Sequence, residues 1–127
     1  MAVYTKGRLM RIFISGPITG TKDYLKRFAA AERELSHRGY EVINPAKVLA
    51  VVPIELPWDR CMDITIALLR ECDAIYMLDK WEWSAGARVE HEYADKAGYR
   101  MFCQNDEIND IGHADDSDVH PFIAPAT

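Results

Sequence analysis

Residues 10–20 read MRIFISGPITG, and this stretch decides the class of fold. Its apolar run, 12–15, is short and ends at a Gly-Pro pair, which is typical of a strand buried on both faces. The loop 16–21 then leads into a predicted helix over about 22–38, whose apolar residues recur at helical spacing. A buried strand followed by a helix is the first part of a β-α-β unit, so the stretch predicts a parallel sheet.

The remainder of the chain repeats this alternation of strand and helix. We predict three further strands and two further helices, over residues 40–43, 74–78, 99–103, about 58–71 and about 87–97. The segment 46–57 is rich in proline, and we predict a loop there. The alternation predicts an α/β fold: a flavodoxin- or Rossmann-like three-layer sandwich around a mostly parallel sheet of four to five strands.

The 127 residues fit one domain with two short flanks. Residues 1–9 precede the first predicted strand, and we interpret them as an N-terminal extension or an alternative start. From residue 104 the chain is acidic and unpatterned, which predicts a mobile tail over 104–127. The α/β domain is therefore expected over residues 10–103.

The composition disfavours several classes of function. The net charge of -5 argues against a nucleic-acid partner, because proteins that track phosphates need clustered Lys and Arg. No apolar run approaches the roughly 18 residues of a membrane span, and no signal peptide is visible. The odd number of cysteines (Cys61, Cys72 and Cys103), all in apolar stretches, favours a reducing compartment, so we expect a cytoplasmic protein. His91 with Glu92 has no second ligand pair, and we expect neither a metal nor a cofactor.

Three segments are expected to meet at one edge of the predicted sheet. In parallel sheets ligands bind at the carboxyl ends of the strands. That rule brings together the loop 16–20, the start of the last helix, and Asp79 with Trp81 and Trp83 behind it. We predict the functional site there. The loop lacks the residue spacing of a P-loop for nucleoside triphosphates.

Glu90 is the most informative polar residue. At 100° per residue, Val89, Tyr93 and Ala94 cover the inward face of the last helix; Glu90 falls in that arc, whereas His91 falls outside it. A carboxylate on an inward face needs a reason, because burying an unpaired charge is costly. Two interpretations are open: an edge glutamate whose head reaches water or an arginine, and a carboxylate that faces a pocket.

Ser84 and Gly86 precede Glu90 at the entrance of the same helix. Ser84 is a suitable N-cap, a role worth about 1 kcal/mol. Together with the unpaired backbone N–H groups of the helix start, it also suits an anion such as a 5′-phosphate. The two uses are compatible.

The block 84–90, with Gly98 eight residues later, resembles the S-x-G-x-x-x-E…G signature of the nucleoside 2-deoxyribosyltransferase superfamily. Residues 13–20 resemble the first strand and glycine loop of that superfamily. The likeness is closest to an uncharacterised branch found in phages and bacteria, through Trp58, residues 72–78, Trp81 and the block 84–90.

The resemblance implies cleavage or exchange of the N-glycosidic bond of a nucleoside or nucleotide. Glu90 would attack the anomeric carbon and form a glycosyl-enzyme intermediate, much as in retaining glycosidases. A serine at position 84 resembles the nucleotide 5′-monophosphate hydrolases of the superfamily, so the expected substrate is a (deoxy)nucleoside 5′-monophosphate. The resemblance also implies a homodimer or a higher homo-oligomer. The expected substrate contacts are Phe13, Gly16, Ile18, Gly20, Trp81, Ser84 and Gly86.

One position departs from the pattern of the superfamily. Its members usually have an aspartate on the preceding helix, where this chain has Thr65, and helical geometry places the nearby Asp63 on the opposite face. Threonine cannot do acid–base work near neutral pH. Asp79 is then the best-placed candidate to protonate the leaving base, although a strand-end turn residue is the more common role. A non-catalytic nucleotide-binding module of the same fold stays open as the alternative.

Overall fold

In the computed structural model, which describes residues 2–104, helices cover both faces of a four-stranded parallel sheet. The strands are β1 (Tyr4–Thr5), β2 (Arg8–Leu9), β3 (Arg11–Ser15), β4 (Glu41–Ile43), β5 (Ala74–Met77) and β6 (Arg100–Cys103). The helices are α1 (Tyr24–His37), α2 (Pro45–Ala50), α3 (Trp58–Leu69) and α4 (Ala85–Ala97), with a 3-10 turn at Trp81–Trp83. The predicted three-layer α/β sandwich is confirmed. The predicted tail, apart from Gln104, lies outside the described residues.

The strand order of the main sheet is β4-β3-β5-β6. The chain starts at β3, adds β4 on one side, and then crosses over to add β5 and β6 on the other side. The direction of winding therefore reverses between β3 and β5. In open parallel sheets the crevice at such a reversal, beyond the carboxyl ends of the strands, is where ligands bind.

The two faces of β3 pack against different helices, as the period of two in a strand requires. Ile12 and Ile14 are buried in one cluster with Phe28 and Leu35 of α1. Phe13 is buried in the other cluster, which includes residues of α3 and α4. Ser15 lies on the same side of the strand as Phe13, so its hydroxyl is directed toward α4.

The prediction of a loop over residues 46–57 is wrong at its start, because α2 begins at Pro45. Asn44 caps this helix: its side-chain oxygen accepts the N–H of Lys47 at 3.2 Å. Proline at the first helical position has no N–H to leave unpaired, and it favours a helix start after such a cap. Three nearby prolines suggested a loop, whereas the Asn-Pro pair was in fact a start signal.

Residues 2–9 are attached to the domain as an antiparallel hairpin of β1 and β2. Val3 is buried in the α1-side cluster, and its N–H donates to the carbonyl of Gly39 at 3.2 Å. The guanidinium of Arg8 donates to both carboxylate oxygens of Asp73, at 2.8 and 3.0 Å. The segment interpreted as an N-terminal extension thus packs against the core. Within residues 2–104, no helix combines the length and apolar character needed to cross a bilayer.

Candidate active site

A cleft of about 730 Å³ opens beyond the carboxyl end of β3. The loop after β3, helices α1 and α2, and the first turns of α3 and α4 form its walls. Most of the lining is apolar, and the larger side chains are Ile18, Phe28, Leu49, Leu56, Trp58 and Trp83. The position agrees with the predicted site at the reversal point of the sheet.

Glu90 lines this cleft and is 6% exposed. Its Oε1 accepts a hydrogen bond from the Ser15 hydroxyl at 2.5 Å, and the Thr65 hydroxyl is a second partner of the carboxyl group. Burial raises the pKa of Glu90 to about 7, and the two hydroxyl hydrogen bonds lower it in part. Of the described residues that line the cleft, Glu90 alone has a charged side chain. The site therefore holds one carboxyl group that has hydroxyl partners but no opposite charge among the described lining residues.

Gly16 allows the chain to turn sharply at the end of β3, directly after Ser15, the hydrogen-bond partner of Glu90. A Cβ at this position would lie 2.7 Å from Leu78 Cβ, so only glycine allows the chain to turn so close to the end of β5. The turn ends the strand immediately after Ser15 and directs the following loop, with Ile18, along the wall of the cleft.

The N-terminus of α4 also faces the cleft. The Ser84 hydroxyl accepts the N–H of Ala87 at 3.1 Å, which is the predicted N-cap. The backbone N–H groups of Ala85 and Gly86 lie in the first turn of α4, where the helix itself provides no carbonyl acceptor for them. A Cβ on Gly86 would come within 3.2 Å of the Met62 sulfur, so glycine lets α3 pack closely on this entrance. The arrangement offers backbone donors and the positive end of a helix to an anion.

Five of the predicted site residues line the cleft, namely Gly16, Ile18, Ser84, Gly86 and Glu90. Four others do not line it. Phe13 is fully buried between the sheet and the α3–α4 layer, because it alternates with Ile12 and Ile14 along β3. Gly20 lies at the exposed tip of the loop, in a turn with a φ of +80°.

Asp79 and Trp81 are the other two predicted residues outside the cleft wall. The backbone of Asp79 is held by its neighbours: its N–H donates to the Gln104 side chain at 2.8 Å, and its carbonyl accepts from Arg27 at 3.1 Å. Trp81 stacks on His91 with ring centroids 4.3 Å apart. The 3-10 turn places Trp83, rather than Trp81, in the wall of the cleft.

The inward face of α4 is rotated by about one position from the predicted arc. Its buried residues are Ala87, Glu90 and Ala94, whereas Val89 is exposed and His91 is half-buried against Trp81. Glu90 consequently lies at the centre of the buried face. The interpretation as an edge glutamate with its head in water is wrong.

Sequence reasoning missed Ser15 as the partner of Glu90. A serine that closes an otherwise apolar buried strand was the available signal, because a hydroxyl at such a position needs a hydrogen-bond partner. It also left Cys61 and Met62 out of the site; these reach the cleft from the first turns of α3.

Thr65 is buried at 4% exposure on the inward face of α3, and Asp63 is exposed, as helical geometry predicted. Among residues 2–104, no three His, Cys, Asp or Glu side chains are grouped to hold a metal ion.

Fold and site together define a small doubly wound α/β protein with a ligand-sized cleft and a buried glutamate at the reversal point of its sheet. Residues 10–103 match the model of a family described as a domain of unknown function, DUF4406. The chain belongs to this family. A comparison with curated proteins gave no match.

Proposed function

We propose that the chain hydrolyses or exchanges the N-glycosidic bond of a (deoxy)nucleoside 5′-monophosphate, with Glu90 as the nucleophile. One observation carries the proposal: a buried carboxyl group lies in an apolar cleft, with its Oε1 held by Ser15. The resemblance of residues 13–20 and 84–90 to the nucleoside 2-deoxyribosyltransferase superfamily supports the same chemistry.

The position of the carboxyl group suits glycosyl transfer. The hydrogen bond from Ser15 holds Oε1, so we assign the attack to Oε2. As the bond between the anomeric carbon and the base lengthens, positive charge develops on the sugar, and a nearby carboxylate stabilises it. Attack by Oε2 gives a glycosyl ester. Water then releases the sugar phosphate, and an acceptor base in place of water makes the reaction a transfer.

The entrance of α4 is the proposed site for the 5′-phosphate. Ser84 lines the cleft, and the N–H groups of Ala85 and Gly86 point out of the helix at the same end. These groups offer hydrogen bonds to phosphate oxygens without a cationic side chain.

Thr65 favours a second candidate function, that of a non-catalytic nucleotide-binding module. Its hydroxyl occupies the inward position of α3 beside Glu90, where a carboxylic acid would assist departure of the base. A binder with this site would hold the nucleotide with its glycosidic bond intact.

We also propose that the protein is a cytoplasmic homo-oligomer. Large apolar side chains are exposed in the segment between α2 and α3, among them Val51 and Ile54. Exposed apolar surface of this kind commonly marks a contact between subunits. Neither Cys61 nor Cys72 is disulfide-bonded, which suits a reducing compartment. Sedimentation equilibrium on the full chain tests the oligomeric state, and a monomer at micromolar concentration would contradict it.

Release of free base tests the proposed activity. We expect the purified full chain to release base from at least one member of a panel of nucleosides and nucleoside 5′-monophosphates, measured by chromatography. Glu90→Gln removes the nucleophile and should reduce release at least about 1,000-fold. The matched control is Glu92→Gln on the exposed face of the same helix, which should release base at the wild-type rate.

Intact-protein mass spectrometry separates the two candidate functions. After rapid acid quenching during turnover, the wild-type chain should gain the mass of one sugar phosphate, and Glu90→Gln should not. A nucleotide that stays bound and uncleaved after long incubation would support the binding module instead. Base release that persists at the wild-type rate in Glu90→Gln would refute the proposed mechanism.

A further inference from the structure

We propose that the base that leaves this site is one that already carries a positive charge in the substrate, as a pyridinium or a 7-alkylpurine does. The inference rests on the proposed function, since it takes Glu90 as the nucleophile. It specifies the class of N-glycoside that the cleft is built to cleave.

The proton donors of the cleft wall are the first argument. A neutral base leaves as an anion unless it is protonated, and a positioned general acid contributes about 10²- to 10⁴-fold to such a step. Apart from Glu90, the one titratable side chain among the described lining residues is Cys61. Its sulfur lies 3.9 Å from the Leu56 carbonyl, which accepts the thiol proton.

Thr65 supplies no acid either. Its hydroxyl has a single proton, which is shared between the Glu90 carboxyl group and the Met62 carbonyl oxygen 3.3 Å away. A hydroxyl of this kind holds its proton at neutral pH and serves to position its neighbours. A base that is already cationic needs no acid, because the electrons of the broken bond neutralise it.

The charge of the cleft is the second argument. Glu90 is buried and its carboxylate has hydroxyl partners but no cationic partner among the lining residues. A cationic ring in the cleft would supply the missing counter-charge and favour the ionised carboxylate that the attack requires. A neutral ring supplies no counter-charge, so burial still raises the pKa of the carboxyl group, to about 7.

Aromatic side chains of the wall are the third argument. Trp58 and Trp83 both line the cleft and are 53% and 77% exposed, so their rings are open to a ligand. Indole faces are the strongest cation–π partners among the side chains. The Trp83 ring already has the Lys80 ammonium 4.9 Å from its centroid. Trp58 is then the ring we assign to a cationic base.

The proposed reaction balances without a further reactant. The bond between the anomeric carbon and the ring nitrogen breaks, and its electron pair goes to the nitrogen, so the base leaves neutral. Oε2 of Glu90 forms a bond to the anomeric carbon. Water then attacks that carbon, Glu90 leaves as a carboxylate, and one proton is released to the solvent. The products are the neutral base, the sugar phosphate with an anomeric hydroxyl, and a proton.

Two matched substrate pairs test the inference on the full chain. The first pair is guanosine 5′-monophosphate and 7-methylguanosine 5′-monophosphate, which differ by the methyl group that makes the base cationic. The second is nicotinamide mononucleotide, a pyridinium, and its reduced dihydropyridine form. Base release is measured by chromatography at pH 6.5, where the methylated guanine keeps its N1 proton and its positive charge, and the rate with Glu90→Gln is subtracted for each compound.

We expect kcat/KM for the cationic member of each pair to exceed that of the neutral member at least about 100-fold, the share of catalysis that a general acid would supply. Glu90-dependent cleavage of both members of each pair within about threefold would overturn the inference and leave the proposed function standing. If none of the four compounds releases base in a Glu90-dependent manner while another nucleotide of the panel does, the inference alone fails. If no compound is cleaved at all, both fail.

Discussion

Two buried carboxyl groups lie at opposite edges of the same sheet, and their partners differ. Asp73, at the amino edge before β5, has a side chain that is 6% exposed. Both of its oxygens accept from the Arg8 guanidinium, and the N–H of Arg11 adds a third hydrogen bond at 2.9 Å. Glu90, at the carboxyl edge, has the hydroxyls of Ser15 and Thr65.

The difference separates a carboxylate with a structural ion pair from the carboxylate that we propose as the nucleophile. A guanidinium that binds both oxygens offsets the desolvation of Asp73 and ties the N-terminal hairpin to the sheet. Hydroxyls donate to Glu90 but bring no opposite charge, so the unfavourable burial of its ionised form remains. Such an uncompensated group persists in a fold when a ligand or a reaction uses it. The predictions below test this contrast.

The largest expected effect is a loss of stability with rising pH that comes from Glu90. Its pKa is raised from 4.5 to about 7 in the folded protein, so the folded state binds this proton more tightly than the unfolded state does. The resulting stability is fully present below pH 4.5 and is lost as the pH rises through 7. Between pH 5 and 8 the free energy of unfolding should fall by roughly 2–3 kcal/mol through this group.

Urea unfolding of wild type and Glu90→Gln at several pH values measures this effect. Other groups, including His91, titrate in both proteins, so the difference between the two curves isolates Glu90. We expect the variant to gain stability relative to wild type as the pH rises from 5 to 8. A constant difference over that range would mean that Glu90 is solvated and ionised like a surface carboxylate.

Whereas Glu90→Gln should gain stability relative to wild type, Asp73→Asn should lose stability. The substitution keeps the shape of the side chain but leaves the Arg8 guanidinium without its counter-charge. Because the Arg8 side chain is 37% exposed, the loss is below that of a fully buried pair, and we expect the free energy of unfolding to fall by about 2 kcal/mol. Glu71→Gln, at an exposed neighbouring position, should change stability by less than about 0.5 kcal/mol.

Activity completes the test of Asp73. Folded Asp73→Asn protein should release base at the wild-type rate, since the substitution lies at the other edge of the sheet. A large fall in kcat for fully folded Asp73→Asn would show that the two carboxyl groups are coupled, and the division between structural and functional edges would fail.

The smallest expected effect is that of Ser15→Ala on the ionisation of Glu90. The variant loses a hydrogen bond that stabilises the carboxylate, worth about 1 kcal/mol, so the pKa of Glu90 should rise by somewhat less than one unit. The pH profile of kcat/KM for base release should move to higher pH by that amount. Ser84→Ala, which changes the same cleft at the α4 cap, should leave the midpoint where it is. An unmoved profile in Ser15→Ala would argue that its hydroxyl does not act on the ionised group.

The parts of the fold that the sequence predicted are those with strong periodic patterns. The strand at residues 12–15 and the helix of Phe28, Ala31 and Leu35 are found within about two residues of their predicted limits. Helix α2 was missed because its signal is a single cap followed by proline, within a segment whose other prolines mark a loop.

The candidate site was predictable to the level of elements but not of individual contacts. Periodicity placed Glu90 and Thr65 on inward faces, and both are buried. It did not determine the rotation of α4 about its axis, which leaves Val89 exposed and brings His91 onto Trp81. A helical pattern locates the buried face only to within about one residue, because packing against neighbouring elements determines the final rotation of the helix.

By itself, the sequence determined the alternation of strands and helices, the parallel sheet that follows from it, and the inward position of one carboxylate. These properties depend on local patterns of apolar residues. Only the tertiary structure decided that Ser15 holds Glu90, 75 positions away along the chain, and that Trp58 and Trp83 share a cleft while Asp79 lies outside its wall. Contacts between distant segments depend on how layers pack and rotate against each other, and no local pattern encodes that geometry.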